Sequence, residues 1–501
     1  MKKRLSFLSS IVALTVIVSG CGSENGGASS KKQDEKKSEA PYELTVAFPV
    51  KGAIPKDMQL VNDEINKIAK EKINATVKLL PISYSAYVNQ MNLMMTGGEK
   101  LDLMVEWGAF YSSYIAKGQL LALDDLLNKY GKDVSESLGP VFLNAPKVKG
   151  KIYGVPTIRD LAQDYGFIMR KDLVTKYNID LSQVKKLDDL ESVLKTLKDK
   201  EPSIAPMTNK GTTSIYGTFS TRDSLGDDLG VLLDNGQGEL KVVNWYETPE
   251  YANMVKLMRK WNQAGYMLKD VVTNKESENI IIKAGKAVGN LTHMKPGFAE
   301  QQSKIIGTEM TAVKLAPSAA NTSTVNSVMW GISQGSKNPE KAMQFLNLMY
   351  ASKDIVNLFS WGIEGKHYVK KQDGLISYPA GVDENNTGFA LNQGFMFGNS
   401  FLADVWEGND KNIWQETKKF NESATRSKAL GFTYDNTPVK TEVAAVTNVV
   451  SQYRLGLEDG AFDPDKELPK FISELKAAGI DKIIAEKQKQ LDVWAKENNV
   501  K

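Results

Sequence analysis

From residue 42 onward the apolar positions of this chain fall into two successive rhythms. Residues 42–48 (YELTVAF) read as a strand, and residues 57–72 place Met58, Val61, Ile65 and Ile68 on one helical face. Residues 75–80 (ATVKLL) are a second strand, a helix follows over 84–95, and residues 101–106 (LDLMVE) are a third strand. This strand–helix–strand order predicts an α/β domain with a largely parallel sheet. Ligands of such sheets gather at the carboxyl ends of the strands, which here carry Phe48, Tyr84 and Trp107.

The second rhythm begins near residue 160. Leu187, Leu190, Leu194 and Leu197 share a helical face, and Pro202 ends it. Thr248-Pro249-Glu250 is a helix start, with threonine as N-cap and proline at the first helical position; Tyr251, Val255, Met258 and Trp261 continue it. Asn338-Pro339-Glu340 repeats that signal. Two amphipathic helices close the chain, over about 468–478 and 481–496, with Gly479 between them as a left-handed stop.

The segment before residue 42 changes the picture. Lys2, Lys3 and Arg4 precede an apolar run from Leu5 to Val18, followed by Ser19-Gly20-Cys21. This is the layout of a secretory signal peptide over residues 1–20. The run is shorter than the roughly 20 apolar residues a spanning helix needs. Cys21 is the only cysteine in 501 residues, and the small-small-Cys ending resembles a bacterial lipobox. That resemblance implies a diacylglycerol thioether on Cys21, an acyl chain such as palmitate on the new N-terminus, and anchoring to the outer face of the cell membrane. Residues 22–41 hold no aromatic or large aliphatic side chain, so 21–41 is expected to be a lipidated cysteine followed by a flexible tether.

Charge and cysteine usage narrow the classes. The formal net charge of +3 equals the three cations of the leader, which leaves the remainder neutral and argues against a nucleic-acid partner. No disulfide is available, so a body of about 480 residues must be held by its cores, in two or more lobes.

Enzyme signals are present but thin. Gly331-Ile332-Ser333-Gln334-Gly335 fits G-x-S-x-G, and Ser333, Asp354 and His367 could be drawn as a triad. An elbow places its helix directly after the serine, whereas Asn338-Pro339 starts the helix five residues later. The alternative is a strand-to-helix turn. Asp102 with Glu106, and Asp227 with Asp228, could be drawn as carboxylate pairs for glycoside hydrolysis, against a plainer reading as solvated strand-end and turn carboxylates. His293 and His367 are the only histidines, so zinc ligands are scarce, and neither metal nor cofactor is expected.

Several segments in order carry a family resemblance. Residues 149–156 (KGKIYGVP), 166–173 (GFIMRKDL), 284–287 (AGKA), 336–342 (SKNPEKA) and 361–368 (WGIEGKHY), with the C-terminal stretch from Leu430 through Trp494, resemble the lipoprotein solute-binding proteins of carbohydrate ABC transporters, specifically the long Gram-positive LplA/LipO type. The resemblance implies a two-lobe, periplasmic-binding-protein-like α/β fold with hinge crossovers and a helical C-terminal extension. It places lobe 1 in 42–158 plus 291–335, and lobe 2 in 159–290 plus 336–501, with a family-specific region over about 430–501. It also implies a monomer, not an enzyme, that captures an oligosaccharide and delivers it to ABC permease subunits. A secreted esterase or glycosidase is the alternative.

Sugars present flat C–H faces and rings of hydroxyls, so a cleft for them wants aromatic platforms and planar polar groups. The candidates are Tyr84, Trp107 and Tyr111 near strand ends, Arg159 and Tyr165 at the first crossover, His293 and Trp330 around the chain's return, and Trp361 and Glu364 in the family segment. For each aromatic the competing reading is plain packing. Arg159 suits a carboxylate, which would make the ligand uronate-containing; the competing reading is an ion pair with Asp160 or Asp164.

Overall fold

The computed structural model describes residues 40–500; the expected signal peptide, Cys21 and nearly all of the tether lie outside the described residues. The principal elements of the first half are β1 (Tyr42–Val50), α1 (Met58–Ile73), β2 (Ala75–Ser83), α2 (Tyr87–Gly97), β3 (Leu103–Trp107), α3 (Gly108–Ala116), β4 (Gly154–Pro156), β5 (Gln163–Arg170), α4 (Leu190–Lys200), β6 (Ala205–Met207) and α5 (Pro249–Gln263). Those of the second half are β7 (Ala287–Met294), α6 (Phe298–Ile306), β8 (Met310–Ala320), β9 (Val328–Ile332), α7 (Pro339–Ala351), α8 (Lys353–Trp361), α9 (Ile413–Ser423), β10 (Thr425–Arg426), α10 (Lys440–Glu458), α11 (Pro464–Ala478) and α12 (Ile480–Glu497).

Two five-stranded sheets organise the fold, in the orders β2-β1-β3-β9-β4 and β10-β8-β5-β7-β6. β1 is buried on both faces from Leu44 on, as a strand covered by helices must be. It pairs with β2 in parallel without a slip, from Tyr42 opposite Ala75 to Val50 opposite Ser83. β3 is also parallel to β1, but β9 runs antiparallel to β3, and the second sheet is mainly antiparallel around β5. The expectation of a largely parallel sheet therefore holds only for β1–β3. The reason is topological: β9 arrives from the other lobe and enters the sheet at the edge where β3 leaves it, so it must run the other way.

Each sheet has its own core. The first gathers Leu44 to Leu161, Val325 to Ile332, the buried faces of α7 and α8, and Phe389 to Phe397. The second gathers residues from Tyr165 to Ala316 together with Val446, Leu457, Phe471 and Ile483 of the C-terminal helices. The expected allotment of 291–335 to the first lobe and 336–501 to the second differs from this distribution. β7 and β8 flank β5 and supply its two hydrogen-bonding edges, while Phe345, Leu346 and Phe359 of α7 and α8 pack on the first sheet. The chain passes between the two cores at 157–162, at 321–327 and again beyond Asn399, where Ile158 and Asn399 bridge in parallel.

Local signals behave as their chemistry requires. The Thr248 hydroxyl accepts from the Tyr251 N–H at 3.1 Å, and the Asn338 side chain accepts from the Lys341 N–H at 3.1 Å, each satisfying a first-turn donor. Gly479 separates α11 from α12 at φ 101°, a conformation that a Cβ would strain. α10, nineteen residues long, has a weak apolar stripe, and its role emerges only where α5, α11 and α12 pack on it.

Candidate functional site

β1, β2 and β3 all end, at Val50, Ser83 and Trp107, on the edge of the first sheet from which the 157–162 crossover departs, and Pro156 of β4 ends there too. Trp107 is half-buried and lies against the exposed Tyr84 ring at 5.4 Å. Arg159 sits within the crossover. Its Nη2 donates to Asp160 Oδ2 at 3.0 Å, its Nε bonds the other carboxylate oxygen, and the guanidinium lies 4.8 Å from the Phe395 ring centroid. On the second sheet, His293 pairs with Tyr165 at the end of β7, and Lys295 follows in the turn into α6.

A hollow of about 560 Å³ lies between these parts, a size typical of small-ligand sites. One wall is aromatic. The Trp361 ring lies 5.3 Å from Trp406, and Tyr378 meets Trp406 edge-on at 4.6 Å. Trp361 Nε1 donates to the Asp404 carbonyl at 2.9 Å, and Trp414 Nε1 to the Ala403 carbonyl at 2.7 Å. Both indole N–H groups are thus satisfied by backbone, which fixes the rings and leaves their faces for a ligand. The facing wall, from Lys295 through Lys304 of α6, brings amines and the Gln301 amide; Arg159 lies between the two walls.

Electrostatics at the crossover are finely balanced. Burial, reinforced by nearby Arg159, brings Lys295 down to about 8. Burial would raise the Asp160 carboxyl, but Arg159, Lys295 and His293 hold it below its ordinary value. Burial, with Lys210 as the next cause, lowers His293 to about 4. Between pH 4 and 6.5 the unfolded chain therefore holds a proton on this residue that the native state lacks, so His293 makes the native state lose stability as pH falls through that window.

The expected site residues separate into two groups. Trp107, Tyr84, Arg159, His293 and Trp361 lie at the interlobe edge or in the hollow. Tyr111 is buried, its hydroxyl donating to the Pro146 carbonyl at 2.7 Å and accepting from the Tyr153 N–H at 3.0 Å. Trp330 is 0 % exposed, with its indole donating to the Met396 carbonyl, and is a core residue because Phe397 and its neighbours cover the ring. Tyr165 packs on Phe219 in the second core. Glu364 is exposed and pairs with Lys370 at 2.7 Å.

Trp406, Tyr378, Trp414 and Lys295 escaped sequence reasoning. For the three rings the signal available was an aromatic-rich stretch, 378–414, with little regular periodicity, which marks rings held by tertiary contacts; Lys295 carried no such signal.

The drawn catalytic groups are otherwise engaged. Ser333 Oγ accepts from the Gly335 N–H at 3.1 Å, in the turn expected as the alternative to an elbow. His367 Nδ1 accepts from the Ile363 N–H at 2.9 Å, and its Nε2 lies 3.0 Å from Asp57, which fastens the 362–368 segment to the start of α1. Asp102 and Glu106 are both fully buried, contrary to the solvated reading. Asp102 accepts from the Thr45 N–H and the Ser336 hydroxyl, while burial pushes the Glu106 carboxyl well above its usual range. Asp227 pairs with Lys487, and Asp228 with Arg222.

Two lobes joined by crossing segments, with a ring-walled hollow between them, define a binding protein of the kind that closes on its ligand by hinge motion. Residues 54–354 match the family described as "Bacterial extracellular solute-binding protein", and the chain belongs to that family. Residues 428–496 match a "Domain of unknown function (DUF3502)". The chain is 28 % identical, over 99 % of both sequences, to a "Carbohydrate ABC transporter substrate-binding protein" of Streptococcus pneumoniae serotype 4. Among solved structures it resembles the N-glycan transport solute binding protein NgtS from Streptococcus pneumoniae, at 26 % identity and a TM-score of 0.82 over 91 % of this chain and 100 % of that one. The same neighbour in complex with Man1GlcNAc and Man5GlcNAc gives TM-scores of 0.73 and 0.70, at 27 % identity over 90–91 % of this chain and 99–100 % of those.

Proposed function

We propose that this protein captures a neutral oligosaccharide between its lobes and delivers it to an ABC importer. The observation that carries the reading is the row Trp361–Trp406–Tyr378, whose rings pack on one another, with Trp361 also held by the Asp404 carbonyl, and line a hollow that both lobes border. Such rings suit the C–H faces of pyranoses, and the amide and amine groups opposite suit their hydroxyls. A uronate is not required, because Asp160 already takes the fork of Arg159. The relatives support the class: one is named for carbohydrate, another for N-glycan.

Thermal unfolding with added saccharide tests this. Man5GlcNAc at about 100 times its Kd stabilises the folded state by about 2.7 kcal/mol, which raises the midpoint by a few degrees; an oligogalacturonate at equal concentration does not. No shift with any neutral oligosaccharide sinks the proposal.

The protein is further proposed to be held at the outer membrane face by lipid on Cys21, working as a monomer on a tether of about twenty residues. Cys21→Ser is expected to move it from the membrane fraction to the medium. Unchanged fractionation would refute the anchor.

A further inference from the structure

Residues 426–432 lead from β10 into the region matched only as a domain of unknown function, and they touch both lobes. On the second-lobe side, Arg426 pairs with Ala320 of β8, and the Lys428 N–H donates to the Gly236 carbonyl at 3.0 Å. Ala429 and Phe432 pack in a cluster with Leu225, Leu232 and Leu491, and the Phe432 ring meets Trp494 of α12 edge-on at 6.0 Å. On the first-lobe side, Leu430 packs against the first core, and the Arg426 guanidinium lies 5.4 Å from the ring centroid of Phe142, in the helix Lys132–Asn144. Gly431, at φ 102°, passes between the two bodies: a Cβ there would stand 3.5 Å from the Trp494 ring and 3.7 Å from the Asn144 carbonyl.

The same stretch is fastened to the crossover at 321–327. Thr322 Oγ1 donates to the Ala429 carbonyl at 3.2 Å and accepts from the Gly431 N–H at 2.8 Å. Asn326 Nδ2, on the same crossover, donates to the Ala145 carbonyl of the first lobe at 3.2 Å. Two successive turns take up the slack: the Leu430 N–H donates to the Ser427 carbonyl at 3.0 Å, and the Phe432 N–H to the Ala429 carbonyl at 2.8 Å.

Lobe closure needs a few backbone torsions in the crossing segments to change. Around 321–327 those torsions are held by a neighbour that is itself seated in both lobes. Leu430 and Phe432 are two residues apart, yet they pack in bodies that closure moves relative to one another, so narrowing the hollow costs part of that packing. We infer that residues 426–432 are a brake on closure, held in place by the C-terminal helices. The domain of unknown function thereby sets sugar affinity without touching sugar. Apparent affinity scales with the fraction of molecules in the binding-competent arrangement, so releasing the brake tightens binding.

Leu430→Ala in the intact protein tests this. It is expected to have a smaller radius of gyration than wild type by small-angle X-ray scattering without sugar, and to bind Man5GlcNAc at least about threefold more tightly by calorimetry. Thr322→Val, which removes only a hydroxyl, repeats the test should Leu430→Ala fail to fold. Leu346→Ala, on the fully buried face of α7, is expected to lower the unfolding midpoint and leave both readings as in wild type. An unchanged radius, unchanged or weaker binding, or the same response from Leu346→Ala overturns the brake. The affinity arm rests on the oligosaccharide reading above, and the scattering arm does not. If wild-type protein takes up no Man5GlcNAc, that reading fails and the scattering alone decides the brake.

Discussion

Trp361→Ala is expected to weaken oligosaccharide binding by about 2 kcal/mol, roughly thirtyfold, the cost of truncating an aromatic anchor. The ring ends α8, is only partly buried, and turns one face to Trp406 while its N–H is fixed by the Asp404 carbonyl. Losing that hydrogen bond costs the empty protein only about 1 kcal/mol. The ligand-free unfolding midpoint should therefore fall by no more than a few degrees, while the ligand-induced rise at fixed sugar concentration largely disappears. Calorimetry and thermal unfolding on the same preparation separate the two quantities. If binding is unchanged, or if the loss of stability without sugar accounts for the whole effect, the aromatic wall is packing and the proposed site is elsewhere.

Trp330→Ala is expected to do the opposite. This ring is fully buried beside Phe397, at 5.9 Å, on a strand flanked by β3 and β4. Truncating a buried tryptophan costs about 3–5 kcal/mol, because transfer energy is lost and a cavity remains. Denaturant unfolding should show that loss, with sugar affinity per folded molecule close to wild type. A variant of normal stability that no longer binds sugar would return Trp330 to the cleft.

These two residues show where sequence reasoning stops. Both are tryptophans that fit an aromatic platform, one at the end of α8 and one within β9. Trp107 shows the depth rule most directly: it pairs with Val328 across β3 and β9, and Trp330 pairs with Val105 two residues further in. In an antiparallel pair those positions share one face of the sheet. The difference between a ring at the cleft and a ring in the core is two residues of depth, set by whether Phe397 and its neighbours cover the position. Phe397 is more than sixty positions away in sequence, so no local pattern reports it.

The same logic accounts for the lobe boundaries. The expected allotment returned the chain to the first lobe at residue 291. That point lies instead within β7, which pairs antiparallel with β5 in the second sheet. Arg159 is an intermediate case. Its neighbour Asp160 made an ion pair one of two readings, and the structure realises it, with Phe395 as a second contact that sequence could not supply.

By itself the sequence determined the strand–helix order of the first sheet, the capped starts of α5 and α7, and the solute-binding family. These rest on periodicity, caps and short motifs, which act over a few residues. Only the tertiary structure decided which rings line the hollow, which carboxylates are sealed away, and what the C-terminal helices hold in place. Those outcomes depend on contacts between distant segments, and the energy that fixes them is burial, which a linear pattern does not contain.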